Sequence, residues 1–174
     1  MTAEALVEEL AAARIGRTHN QYADSALRRE RLRRYLDARA SAPVLLVGEA
    51  AGYRGARISG IPFTSERQLT GSGPAEATAT IVHRVLGELG IADDVLLWNL
   101  VPTHPGTARS NRPPTRDEIG SARPFLDRLA YGRRVIPVGR LAQRELGGPY
   151  VRHPSRGGAV AFRQLLAQAL GKDG

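Results

Sequence analysis

Cysteine is absent from the chain. With it go disulfides, thiolate zinc sites, iron–sulfur clusters and a cysteine nucleophile. Lysine is nearly absent too: Lys172 is the only one, and arginine carries the rest of the positive charge. No apolar run approaches the roughly twenty residues needed to cross a bilayer. The N-terminus shows no charged stretch followed by an apolar one, so a cytoplasmic protein is expected, nucleoid-associated in a bacterium. Acidic residues are outnumbered, leaving a net charge of +8. That balance favours a polyanionic partner, although an alanine- and arginine-rich chain is also what a GC-rich genome encodes. The histidines, His19, His83, His104 and His153, are scattered without ligand spacing. No metal and no other cofactor is expected.

What is present suffices for one folded domain. The chain has 174 residues and is 42% hydrophobic, enough for a well-buried core and short for two. The first forty residues read as helices. Leu6, Val7 and Leu10 repeat at helical spacing, and after a polar break Ala26, Leu27, Leu32, Tyr35 and Leu36 do the same. The second helix also carries Arg28, Arg29, Arg31, Arg33 and Arg34, a run that more often marks a solvated face than a DNA contact. From Pro43 strands alternate with helices. Val44 to Val47 and Val95 to Trp98 are short, wholly apolar runs of the kind buried on both faces. Val135 to Val138 is a third strand, with Pro137 suggesting an edge or an end. Tyr150-Val151 is a brief fourth. Helices are expected from Ala75 to Leu89, after a capping box of Thr115 and Glu118, around Leu141 and Leu146, and around Phe162 to Leu170. The expected fold is a single α/β domain over 1–174. Its N-terminal helices fill 1–40, and a mainly parallel four-stranded sheet over 43–170 is covered on both faces in three α/β/α layers.

In such sheets ligands sit beyond the carboxyl ends of the strands. That rule selects loops beginning at Gly48, Asn99 and His153. The first runs Gly48-Glu49-Ala50-Ala51-Gly52-Tyr53-Arg54-Gly55 and on to Gly60-Ile61-Pro62-Phe63. The second is Trp98-Asn99-Leu100-Val101-Pro102, and the third Arg152-His153-Pro154-Ser155-Arg156-Gly157-Gly158. In this order of parts the chain resembles the uracil-DNA glycosylase superfamily over about residues 43 to 170. With the Ser110-Asn111-Arg112-Pro113-Pro114 loop it looks most like a divergent bacterial branch without an iron–sulfur cluster.

The resemblance implies roles. His153 matches the histidine that stabilises charge developing on the uracil ring. Asn99 matches the asparagine whose amide accepts from N3–H and donates to O4. Phe63 matches the aromatic on which a flipped base stacks. Ser155, Arg156 and Gly157 match the loop that holds phosphate and enters the minor groove, with Arg156 the candidate to fill the gap left by the base. Two positions depart from the pattern. Ala50 stands where many members carry the acidic residue or asparagine that positions the attacking water; the adjacent Glu49 is the candidate to orient it, or to pair with His153. Gly52 stands where some members place a tyrosine against uracil C5, leaving the pocket open there unless Tyr53 partly closes it. No lysine or cysteine lies in these motifs to form a covalent sugar adduct. The expectation is therefore a monomeric, monofunctional glycosylase. It removes uracil, with other deaminated or 5-substituted bases as further candidates, from single- or double-stranded DNA. A non-catalytic lesion or abasic-site binding protein and a hydrolase of free nucleosides are the alternatives.

Overall fold

The computed structural model describes residues 2–172. Two helices lead, α1 (Ala3–Ala12) and α2 (Ala26–Ala38), followed by β1 (Val44–Ala50), α3 (Ala56–Ser59), α4 (Glu66–Thr70) and α5 (Ala77–Glu88). Then come β2 (Val95–Val101), α6 (Arg116–Ala130), β3 (Arg134–Pro137), α7 (Arg140–Leu146) and α8 (Ala159–Leu170). The strands are parallel, in the order β2-β1-β3. Alternate residues of β1 feed opposite faces. Leu45 and Val47 join Leu96, Trp98, Leu6, Leu32 and Leu126 on one side. Val44 and Leu46 join Leu97, Val85, Phe162 and Leu166 on the other. A strand buried on both faces is apolar at consecutive positions, which is why these runs carry no polar alternation.

The sheet has three strands among the described residues, not the expected four. Tyr150-Val151 contributes only a single parallel bridge, Val138 to Val151. Prolines explain the shortfall. Pro137 has no N–H to give, and Pro149 and Pro154 bracket the would-be strand, so few consecutive donors remain to build a ladder. The bridge still matters. The Gly139 N–H donates to the Val151 carbonyl at 2.8 Å, which sets the chain entering His153 beside the end of β3.

Both long strands run three residues past their expected ends, so Glu49 and Asn99 sit on strand termini rather than in loops. The register pairs Gly48 with Asn99. The Thr115–Glu118 capping box forms as expected at the start of α6. The arginine run of α2 is largely occupied within the chain. Arg28 donates to the Ile58 carbonyl and Arg29 to that of Tyr22. Arg31 pairs with Glu66 through both oxygens, and Arg33 bridges Glu30 and Asp37. The Arg28 and Arg31 bonds dock α2 onto the segment that carries Phe63. No helix of the described residues is long and apolar enough to cross a membrane.

Candidate active site

A cavity of about 790 Å³ opens at the carboxyl ends of the strands. Glu49, Gly52, Phe63, Asn99, His153, Ser155 and Arg156 line it together. Tyr53 and Gly157 are not among its lining residues. Tyr53 instead gives its backbone N–H to Asn111 Oδ1 at 2.9 Å, and Arg54 lies over its ring.

Two of the lining side chains, Phe63 and Asn99, meet over a glycine. A Cβ placed on Gly48 would overlap the Phe63 ring and would lie 2.8 Å from Asn99 Oδ1. The end of an aromatic ring and an amide therefore converge above bare backbone. Phe63 reaches this place from a strained residue, with φ at +52°. The left-handed region costs a side-chain-bearing residue of order 1–3 kcal/mol, so it persists only where surrounding structure enforces it. Arg156 is the other non-glycine residue with positive φ, also +52°. Both strained residues thus line the same cavity. Asn99 is only 3% exposed, yet its amide has no hydrogen-bond partner within the described residues. The amide lines the cavity and is free to pair with a group that enters it.

His153 has a defined tautomer. The Ser155 backbone N–H can only donate, and it points at His153 Nδ1 at 3.2 Å, with Ser155 Oγ at 2.8 Å from the same nitrogen. Nδ1 is therefore the acceptor, and in the neutral ring the proton sits on Nε2. Burial lowers the imidazole pKa below its ordinary value, because desolvation penalises the charged form. The ring is thus neutral at neutral pH and carries one N–H donor with no partner among the described residues. Any activity that depends on this ring is expected to decline in acid with a midpoint below 6.5. A single-turnover pH profile checks this, and a decline centred above 6.5 would contradict it.

Glu49 is half-buried, with burial raising its pKa. No hydrogen bond joins it to His153. Arg112, Arg140, Arg144 and Arg156 give the lining a cationic rim. Several of these residues escaped the sequence reading. Arg140 and Arg144, one turn apart on α7, follow the end of β3. The strand-end rule applies there as well as at the three loops it was used to select. Glu76 and Thr78 at the start of α5 carry no such signal.

The loops are locked together. Glu118 accepts from both terminal nitrogens of Arg112, from the Thr115 N–H and from the Arg17 N–H. His104, fully buried, places its ring nitrogens 2.7 Å from the Ala51 and Thr107 carbonyls. The Arg112 guanidinium, aided by the two backbone N–H groups, pulls the Glu118 carboxyl down to about 2. A depressed carboxylate stabilises the fold above its ordinary pKa of 4.5 and loses that contribution as pH falls towards about 2. Glu118→Ala is expected to cost roughly 2–4 kcal/mol, since it strands a cation and two N–H groups. Urea denaturation measures this, and a shift under about 0.5 kcal/mol would show that the loop is held otherwise.

Comparison with known proteins places the chain. A crystal structure of wild-type Pedobacter heparinus SMUG2 superposes with a TM-score of 0.67 over 98% of this chain and 97% of that one, at 11% sequence identity. At that identity the likeness concerns the fold. No curated protein sequence matches. The family model of the uracil DNA glycosylase superfamily matches residues 35–169, a span holding every lining residue named above. The chain belongs to the uracil DNA glycosylase superfamily.

Proposed function

We propose that the protein is a monofunctional DNA glycosylase that hydrolyses the N-glycosidic bond of uracil. The observation that carries this reading is the meeting of the Phe63 ring and the Asn99 amide over Gly48, in a cavity that His153 also lines. A base turned out of the helix stacks on Phe63, which contributes roughly 1–3 kcal/mol. Asn99 accepts from uracil N3–H and donates to O4. His153 then offers its Nε2–H to O2, where negative charge collects as the C1′–N1 bond lengthens. A neutral donor suits this work, since it stabilises the leaving anion without first giving up a proton.

Ala50 cannot hold the attacking water. The reaction therefore runs dissociatively: the bond breaks first, and water captures the sugar cation. Glu49 is the carboxylate placed to steady that water or the cation. Arg156 and Gly157, ahead of α8, take the flanking phosphate on backbone N–H groups and the guanidinium, while the Ser155 N–H stays on His153 Nδ1. Arg156 is the side chain placed to fill the gap left by the base. The protein acts as a monomer and needs no metal or cofactor.

The test is a panel of oligonucleotides, single- and double-stranded, each with one modified base, incubated with protein and then treated with alkali. Strand scission at uracil is the expected result. Scission at no base would leave the lesion-binding reading, and activity on free deoxyuridine alone would favour a nucleoside hydrolase.

A further inference from the structure

Glu76 occupies the N-cap of α5, where a carboxylate commonly accepts a bond from the first helical turn. Its side chain makes no such bond. It turns into the cavity and lies across two glycines. A Cβ on Gly52 would overlap Oε1 and lie 3.2 Å from the carboxyl carbon; one on Gly55 would overlap Oε2 and lie 2.9 Å from that carbon. Gly52 does not have a positive φ, so what occupies the space beside it is the end of the Glu76 side chain and not a constraint of its own backbone. The opening expected at Gly52 is therefore filled, and by Glu76 rather than Tyr53. Neither carboxylate oxygen has a partner among the described residues, and burial raises the group's proton affinity. Among the described residues Glu49 is the only other carboxylate on the lining.

We propose that Glu76 is a specificity-determining residue: its carboxylate forms the wall facing pyrimidine C5, favours 5-substituents that carry an O–H or N–H donor, and disfavours a methyl. The proposal rests on the uracil reading of the cavity, in which Gly52 faces C5. A methyl pressed against a carboxylate displaces water and returns no hydrogen bond, whereas a hydroxyl of nearly the same reach donates one. Sites built to hydrogen-bond a group reject the analogue that lacks it far more strongly than an apolar wall does.

Thymine and 5-hydroxymethyluracil differ by one hydroxyl and make the sharpest pair. The experiment compares single-turnover excision of uracil, thymine and 5-hydroxymethyluracil from otherwise identical single-stranded oligonucleotides. Parent, Glu76→Ala and Glu76→Gln proteins are used, with thermal melts to confirm folding. The parent is expected to favour 5-hydroxymethyluracil over thymine, and Glu76→Ala to shrink that ratio by about tenfold or more. The near-isosteric Glu76→Gln shrinks it less, because its amide keeps one acceptor; it preserves the test should the alanine variant fail to fold. A ratio unchanged by either substitution, including the case where all rates fall together, overturns the proposal. A parent that removes uracil but neither 5-substituted base also overturns it. A parent inactive on uracil as well overturns the glycosylase reading beneath it, a result distinct from the others.

Discussion

Replacing His153 with alanine is expected to slow uracil excision by about 100- to 1000-fold or more, with DNA binding retained. The size of the loss follows from the site. In the proposed mechanism Asn99 and Phe63 bind the base in its ground and transition states alike, so they would govern affinity at least as much as rate. His153 is different. In that mechanism its Nε2–H would meet O2 most strongly when O2 carries charge, which is a transition-state interaction. The Ser155 N–H holds the ring in the required tautomer at 3.2 Å, so no reorganisation precedes the reaction. Glu49→Gln is expected to fall less, since in a dissociative reaction the water arrives after the costly step. Single-turnover rates with saturating enzyme make the comparison. A His153→Ala protein with nearly full rate would remove the centre of the mechanism. A larger loss for Glu49→Gln would mean that water activation limits the reaction.

Gly48→Ala is expected to lower excision by about 100-fold. Gly48 has an ordinary strand conformation, outside the positive-φ set, so alanine imposes no backbone strain. The whole effect is steric. The new methyl would overlap the Phe63 ring and sit 2.8 Å from Asn99 Oδ1. Phe63 cannot easily retreat, because its positive φ and burial fix where the ring goes. Both base-holding groups are displaced together, and a misplacement of roughly 1 Å can cost about 100-fold. Overpacking costs stability by about 1–3 kcal/mol as well, so the folded fraction is measured alongside the rate. A well-folded variant with unchanged rate and affinity would show that the base does not sit between Phe63 and Asn99.

Much of this arrangement was legible before any coordinates. Val44 to Val47 and Val95 to Trp98 announce buried parallel strands because no polar residue interrupts them, and strand ends are where ligands bind. His153, Asn99 and Phe63 followed from motif order. The fourth strand misled because Tyr150-Val151 has strand-forming residues while the neighbouring prolines withhold the hydrogen bonds. Local propensity does not report a missing ladder. Glu76 was illegible for another reason. It precedes a helix, so its type matches a capping residue, and only three-dimensional packing shows that it forgoes the cap to cover Gly52. Gly52 itself read as open space, because a glycine in sequence does not say what fills the volume beside it. The arginines of α2 read as a surface run, whereas several serve to dock the N-terminal helices.

The measurement that bears most directly on the central claim is the release of free base. A uracil-containing oligonucleotide is incubated with the protein in excess chelator, and free uracil is quantified by chromatography beside alkali-labile sites and intact strand. The account predicts free uracil equal to the number of alkali-labile sites, with the strand uncut before alkali. Tight binding to uracil-containing or abasic DNA with no uracil released would contradict it.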